Sequence, residues 1–436
     1  MATTQQLPET QPAMALAIDM SSPGQAAISY DLASPVKALH FPQELGGYRL
    51  ERWQPVDHGF RWIEEGEGER LERSDGRRFK QVTFTLPVDY RFLPKSYAPF
   101  SPFSDGSTLI HSGQFHTCFS APCDRTEPIT ISVEAPGKII GVAGRRTPDH
   151  DTFQSDEEGT NIFIGTLAPV EADGFIAIVD PGLPTSLRQH LDRSLPMSMM
   201  FFAKIYGPLS FKPELYVSMD DTPETTGRIS TQGGTLPNQI FIHFDGENAK
   251  QRLTSGTPYW LDWFFAHEAA HLFQQDQVGS LPGDDDAGWL HEGGADAMAA
   301  LAMAGRGEAE QAYVSDREAK AEEACSKGLA RYPLNKATAE GNFDLHYQCG
   351  LVIWLALDQE LRAVGHGGLN DLNRAFFTAA RTGSPWNEAV FLGIARDLGA
   401  TDSTISRVQR LSSGGPDTVA DDVAELGLLA QQALKK

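Results

Sequence analysis

The chain has 436 residues, with 58 Asp and Glu against 36 Lys and Arg, a formal net charge of -22. No long basic cluster breaks that acidity, which argues against nucleic acid or an anionic membrane surface as a partner. The length suits two or three domains, and the longest apolar run, Gly350 to Leu357, falls far short of the roughly 18 residues that suggest a membrane span.

Residues 1–25 are rich in Thr, Gln, Pro, Ser and Ala without periodicity and read as a disordered leader. Met1 to Pro12 carry neither a basic nor an apolar signal-peptide region. The compartment stays open: cytoplasmic if Met1 is the native start, periplasmic or secreted if a signal peptide was removed. Cys118, Cys123, Cys325 and Cys349 leave it open too, since two disulfides would suit an exported protein and four buried thiols a cytosolic one.

From 26 to 183 the pattern is β. Val82, Phe84 and Leu86 alternate with Thr83 and Thr85, and Ile129, Ile131 and Val133 with Thr130, Ser132 and Glu134. Gly- and Pro-containing turns separate such runs, as expected for an antiparallel, sandwich-like domain. His111, His116 and His150 in this half read as structural or surface histidines. A helix is expected over 184–206, where Leu187, Leu191 and Leu195 share a face, then strands at Leu215–Met219 and Gln239–Phe244. From Trp260 onward nearly everything reads helical, with helices expected at 259–276, 288–305, 308–330, 343–363, 368–381, 385–398, 401–412 and 416–434. The expected class is α+β multidomain. It divides into a leader (1–25), a β-sandwich-like domain (26–183), a catalytic domain (184–310) and a helical C-terminal region (311–436).

The chemistry lies on the first of those helices. In Phe265-Ala266-His267-Glu268-Ala269-Ala270-His271 the two histidines are four apart, so both imidazoles can reach one metal ion from one helix face. Glu268 stands beside them as general base and acid. Catalytic zinc takes three protein ligands and leaves a fourth position for water. The third candidate is Glu292 in Trp289-Leu290-His291-Glu292-Gly293, separated from His271 by twenty residues and at the start of a second helix. Asp296, one turn further on, is placed to accept the outer N–H of a ligand histidine. Tyr347, opening an apolar helix, is the candidate donor to an oxyanion, and Gly350 one turn later allows close approach of a neighbouring element. His291 and His346 adjoin these residues and read as bystanders. Asp284-Asp285-Asp286 lacks the spacing of a calcium loop and reads as a solvated acidic loop.

His267-Glu268-x-x-His271 followed by Trp289-Leu290-x-Glu292-Gly293 resembles the gluzincin zinc metallopeptidases, most closely the alanyl/leucyl and glycyl aminopeptidase families. The resemblance implies a β N-terminal domain, a thermolysin-like catalytic domain and following helices. It implies one Zn2+ ion on His267, His271 and Glu292, with Tyr347 stabilising the oxyanion. The Glu292 to Asp296 step also resembles thermolysin, where the aspartate orients a zinc histidine. Those aminopeptidases carry a Gly-x-Met-Glu-Asn segment whose glutamate binds the substrate amine. The matching place here is Gly233-Gly234-Thr235-Leu236-Pro237-Asn238, which keeps the glycines and has no glutamate. Gly233, Gly234 and Asn238, with the strand 239–244 after them, are therefore the expected peptide-binding edge.

The expected function is a zinc-dependent metallopeptidase acting on a peptide or protein substrate. Its rivals are an aminopeptidase with non-standard amine recognition, a non-catalytic zinc-containing peptide-binding protein, and a hydrolase of a non-peptide amide or epoxide at the same site.

Overall fold

The computed structural model describes residues 14–42, 45, 47–65, 68–93, 96–120, 123, 126, 128–172, 174–220, 230–246, 249–255, 258–279 and 287–435. They form two compact units. The first comprises the residues up to Pro184 together with Pro213–Ser255, and the second Thr185–Lys212 with Gly256–Lys436. The acidic run Asp284–Asp286 and residues 1–13 of the expected leader lie outside the described residues.

The first unit begins with β1 (Met14–Asp19), β2 (Gln25–Val36), β3 (Ala38–Phe41), the short helix α1 (Tyr48–Arg52), β4 (Gln54–Pro55), β5 (Phe60–Glu65), β6 (Gly68–Arg73) and β7 (Phe79–Pro87). It continues through β8 (Phe100–Pro102), β9 (Thr108–His111), β10 (Ile129–Val142), β11 (Arg145–Ser155) and β12 (Asn161–Gly165). A nine-stranded sheet runs β4-β7-β2-β1-β10-β12-β9-β8, with β11 also on β10, and β3, β6 and β5 form a sheet of three. Pairing is antiparallel apart from β1 on β10.

β1 corrects the expected leader. Met14, Leu16 and Ile18 are buried while Ala15, Ala17 and Asp19 face out, a short period-two signal hidden in a Pro- and Gln-rich context. Burial of alternate residues and pairing on both sides hold the strand in the sheet.

The remaining strands of this unit are β13 (Val170–Ala172), β14 (Phe175–Val179), β15 (Glu214–Asp220), β16 (Ser230–Leu236) and β17 (Gln239–Asp245), followed by α3 (Ala249–Ser255). They form one sheet in the order β13-β14-β15-β17-β16. Residues 213–255 therefore belong with the β half rather than with the expected catalytic segment 184–310, because β15 pairs in parallel with β14.

The second unit contains α2 (Thr185–Tyr206), α4 (Tyr259–Val278), α5 (Glu292–Ala304), α6 (Glu308–Leu329), α7 (Asp344–Ala363), α8 (Leu369–Arg381), α9 (Glu388–Asp397), α10 (Asp402–Ser413) and α11 (Val419–Ala433). α4 packs on α2 and α5, α5 on α7, and α7 on α6 and α11. Disulfides join Cys118 to Cys123 in the first unit and Cys325 on α6 to Cys349 on α7 in the second. Among the described residues no helix is long and apolar enough to cross a membrane.

The first unit's core also encloses a charge pair. Arg49 donates to Glu69 at 2.8 Å, and its guanidinium lies 4.7 Å from the Phe41 ring centroid and 5.2 Å from that of Trp53. Removing one partner of such a pair strands the other in a dry site. Glu69→Ala should cost about 3–5 kcal/mol, read as a lower urea midpoint. A loss below about 1 kcal/mol, the scale of an exposed pair, would contradict this.

Candidate metal centre

α4 is buried on every side. From Leu261 to Gln274 only Phe264 escapes full burial. The helix therefore needs apolar residues all round, and each polar group it does carry needs a partner. His267, Glu268 and His271 are 7%, 9% and 9% exposed. The ring of His267 lies 4.6 Å from that of His271, centroid to centroid.

Glu292 opens α5 and meets the pair. His267 Nε2 lies 3.0 Å from His271 Nε2, and each lies 3.2 Å from Glu292 Oε2. Three ligands on a tetrahedral zinc with bonds of about 2.0 Å stand about 3.3 Å apart. The observed triangle has nearly that size. His267, His271 and Glu292 are also the one group of three such residues able to share a metal ion found among the described residues.

The outer nitrogens fix which electron pairs face inward. His267 Nδ1 donates to Asp296 Oδ1 at 2.8 Å, and His271 Nδ1 donates to Gln274 Oε1 at 2.9 Å. A neutral imidazole with its proton on Nδ1 presents a bare lone pair at Nε2. Two such lone pairs and a carboxylate oxygen repel one another unless positive charge, a proton or a metal ion, lies between them. The ionisation of the groups points the same way. Burial disfavours charge on His267, but its bonds to Asp296 and Glu292 prevail and hold its pKa well above the usual histidine value. Burial likewise opposes ionisation of Glu292. The neighbouring His271, His267 and His291 overcome it and keep the carboxyl far below the ordinary range. The site is built for positive charge, and the two imidazoles and carboxylate suit zinc.

Tyr347 comes from α7. Its ring lies 5.6 Å from that of His267, and its hydroxyl is close enough to Glu292 to feel that charge. Burial, and then the charges of Glu292 and Glu268, push its pKa well above the ordinary phenol value, so the hydroxyl keeps its proton. Glycine permits this approach. A Cβ on Gly293 would lie 2.3 Å from Gly350 Cα, and one on Gly350 would lie 2.5 Å from Gly293 Cα. The backbones of α5 and α7 touch there, one residue after Glu292 and three after Tyr347. Nearby, Trp354 Nε1 donates to the Trp289 carbonyl at 3.1 Å.

Three contributors escaped the sequence reading. Trp263 donates its indole N–H to Asp296 Oδ1 at 2.7 Å, sharing that oxygen with His267. Gln274 orients His271. Trp263 lies four residues before His267 and Gln274 three after His271, so helical spacing was the available signal. His291, expected to be a bystander, places Nε2 3.3 Å from Glu292 Oε1 and steadies the oxygen opposite the triangle. His346 is buried and bonds to Thr338 Oγ1 at 3.0 Å, a packing role.

The expected peptide-binding residues are placed differently. Gly233 and Gly234 lie within β16, not in a loop, and Asn238 sits in the turn to β17 with φ of 62°. β17 is paired on both sides, with β15 and β16, so the strand 239–244 cannot accept another. β16 lies at one edge of that sheet and β13 at the other. A Cβ on Gly234 would lie 2.2 Å from the Tyr97 hydroxyl, so this glycine makes room for a tyrosine.

No protein-family model matches the sequence, and no curated protein matches it. Solved structures are similar in fold. An aminopeptidase N family protein from Idiomarina loihiensis superposes with a TM-score of 0.57 at 12% identity, over 90% of this chain and 72% of that one. Yeast LTA4 hydrolase gives 0.52 at 14% identity, over 92% and 67%. An M1 zinc metallopeptidase from Deinococcus radiodurans gives 0.48 at 16%, over 92% of each chain. What is shared at these identities is the α+β architecture, with an N-terminal β domain and a C-terminal helical region.

Two substitutions test the centre itself. Asp296→Asn, which weakens the partner of the His267 N–H, should lower zinc affinity about 10–100-fold in a competitive chelator titration. Gly350→Ala should separate α5 from α7 and lower both the melting temperature and the zinc affinity. Unchanged zinc affinity in both variants would contradict the geometry.

Proposed function

We propose that this chain is a zinc-dependent metallopeptidase that hydrolyses peptide bonds with an activated water. The observation that carries the reading is the inward-facing triangle of His267, His271 and Glu292, with Glu268 and Tyr347 beside it. A purely structural metal site has no need of a further carboxylate and a protonated phenol beside it.

Zinc bound by those three side chains supplies Lewis acidity and a water acidified towards neutral pH. The protein's own groups do the rest. Asp296 and Gln274 hold the ligand histidines in one tautomer, and His291 steadies Glu292. Glu268 follows His267 on the same buried helix, close enough for its charge to act on both His267 and Tyr347. It is the group to take a proton from water and pass it to the leaving nitrogen. Tyr347 keeps its proton and donates a hydrogen bond to the carbonyl oxygen as negative charge builds there.

Glu268→Gln should retain one zinc per chain by metal analysis and lose peptide hydrolysis in a peptide-library digest. Full activity in that variant would remove the mechanism. Tyr347→Phe should lower kcat about 10²–10³-fold with little change in KM, the pattern of a lost transition-state contact. Comparing aminoacyl anilides with N-terminally blocked peptides separates the two modes of cleavage. Turnover of blocked peptides marks an endopeptidase, and turnover only of free-amine substrates marks an aminopeptidase.

A further inference from the structure

Next to the metal ligands the second unit holds a cavity of about 410 Å³, lined among others by Asp296, Arg317, Lys320, Asp344 and Tyr347. That is room for one or two residues of a bound peptide. Tyr347 ties the cavity to the chemistry, because its ring lies 5.6 Å from that of the ligand His267.

The charges around this cavity are unequal in what they have left to offer. Asp296 is already committed to His267 and Trp263. Lys320 pairs with Asp316 at 2.6 Å, and 71% of its side chain is exposed. Asp344 is exposed, so water screens it. Arg317 differs. It is half-buried on α6, and its guanidinium carbon lies 4.3 Å from the Trp263 ring centroid. It makes no hydrogen bond or ion pair to another described residue. Stacking on an indole fixes the plane of a guanidinium while leaving its N–H edge free, and that edge matches a carboxylate with two parallel bonds.

We propose that this cavity is a carboxylate-recognition subsite, in which Arg317 receives a carboxylate of the peptide and Lys320 adds positive potential at the mouth. The proposal rests on the metallopeptidase reading for the identity of the ligand, but not for the capture of the anion. The carboxylate could belong to the C-terminus of a short peptide or to an acidic side chain, and matched peptides separate these sources. One pair differs only in a free or amidated C-terminus, the other only in Glu or Gln at one position.

With the zinc-loaded full chain, one of these pairs should show kcat/KM about tenfold or more in favour of the carboxylate form, the scale of a charge-assisted bond. Arg317→Ala should bring that ratio within about twofold of unity, and Arg317→Lys should keep part of it. General damage to the fold lowers both members of a pair alike and leaves the ratio standing. Binding is measured separately by calorimetric titration of the same peptides into Glu268→Gln protein, with and without Arg317→Ala. The carboxylate form should bind about tenfold more tightly, and only while Arg317 is present. If no peptide is cleaved but that difference holds, the metallopeptidase reading fails and the subsite stands. Equal binding of acid and amide in both pairs, or a preference that survives Arg317→Ala, would overturn the subsite.

Discussion

Three electron pairs are forced together in the second unit, on His267 Nε2, His271 Nε2 and Glu292 Oε2, at separations of 3.0 to 3.2 Å. No arrangement of neutral imidazoles and an ionised carboxylate is at ease at such distances. Positive charge at the centre, a proton on His267 or a metal ion, relieves the repulsion, and the surrounding side chains hold the three groups in place for it. Asp296 and Gln274 hold the outer N–H of each ring, while His291 engages the other oxygen of Glu292. Burial, together with the charges of Glu292 and Glu268, keeps the Tyr347 hydroxyl protonated.

The scaffold serves that constraint through backbone contact. A helix buried on all sides delivers His267, Glu268 and His271 along one stretch of α4. Glu292 and Tyr347 come from two further helices whose backbones meet at Gly293 and Gly350. A Cβ at either glycine would come within 2.3 to 2.5 Å of the facing backbone, so the helices would have to shift apart. The disulfide from Cys325 to Cys349 ties α6 to α7 two residues beyond Tyr347, so the walls of the adjoining cavity are covalently joined.

Much of the fold could be read in advance where a period ran long. The helix expected at 259–276 is observed as Tyr259–Val278, that at 308–330 as Glu308–Leu329, and that at 343–363 as Asp344–Ala363. Short or weakly patterned strands were the failures. The sequence of β1 reads as leader because its alternation spans a few residues among prolines and glutamines. β16 was taken for loop because Gly233 and Gly234 have little strand preference, and its pairing with β17 overrides that. At the site, residue types and helical spacing were enough to nominate His267, His271, Glu292 and Tyr347. The partners that aim them were harder to see. Trp263 and Gln274 lie at helical spacing from the histidines, yet the direction of an indole or amide is settled only by packing. The role of His291 depends on how the first turn of α5 points its carboxylate. Arg317 was invisible for a similar reason, since its significance lies in what it stacks on and in what it does not bond to.

The most direct test of the centre is X-ray absorption at the zinc edge of the zinc-loaded full chain. The account predicts one tightly bound zinc per chain with a first shell of nitrogen and oxygen only, at about 2.0–2.1 Å, and the outer-shell scattering of two imidazoles. A shell containing sulfur at about 2.3 Å, a different number of imidazoles, or the absence of stoichiometric zinc uptake would contradict it.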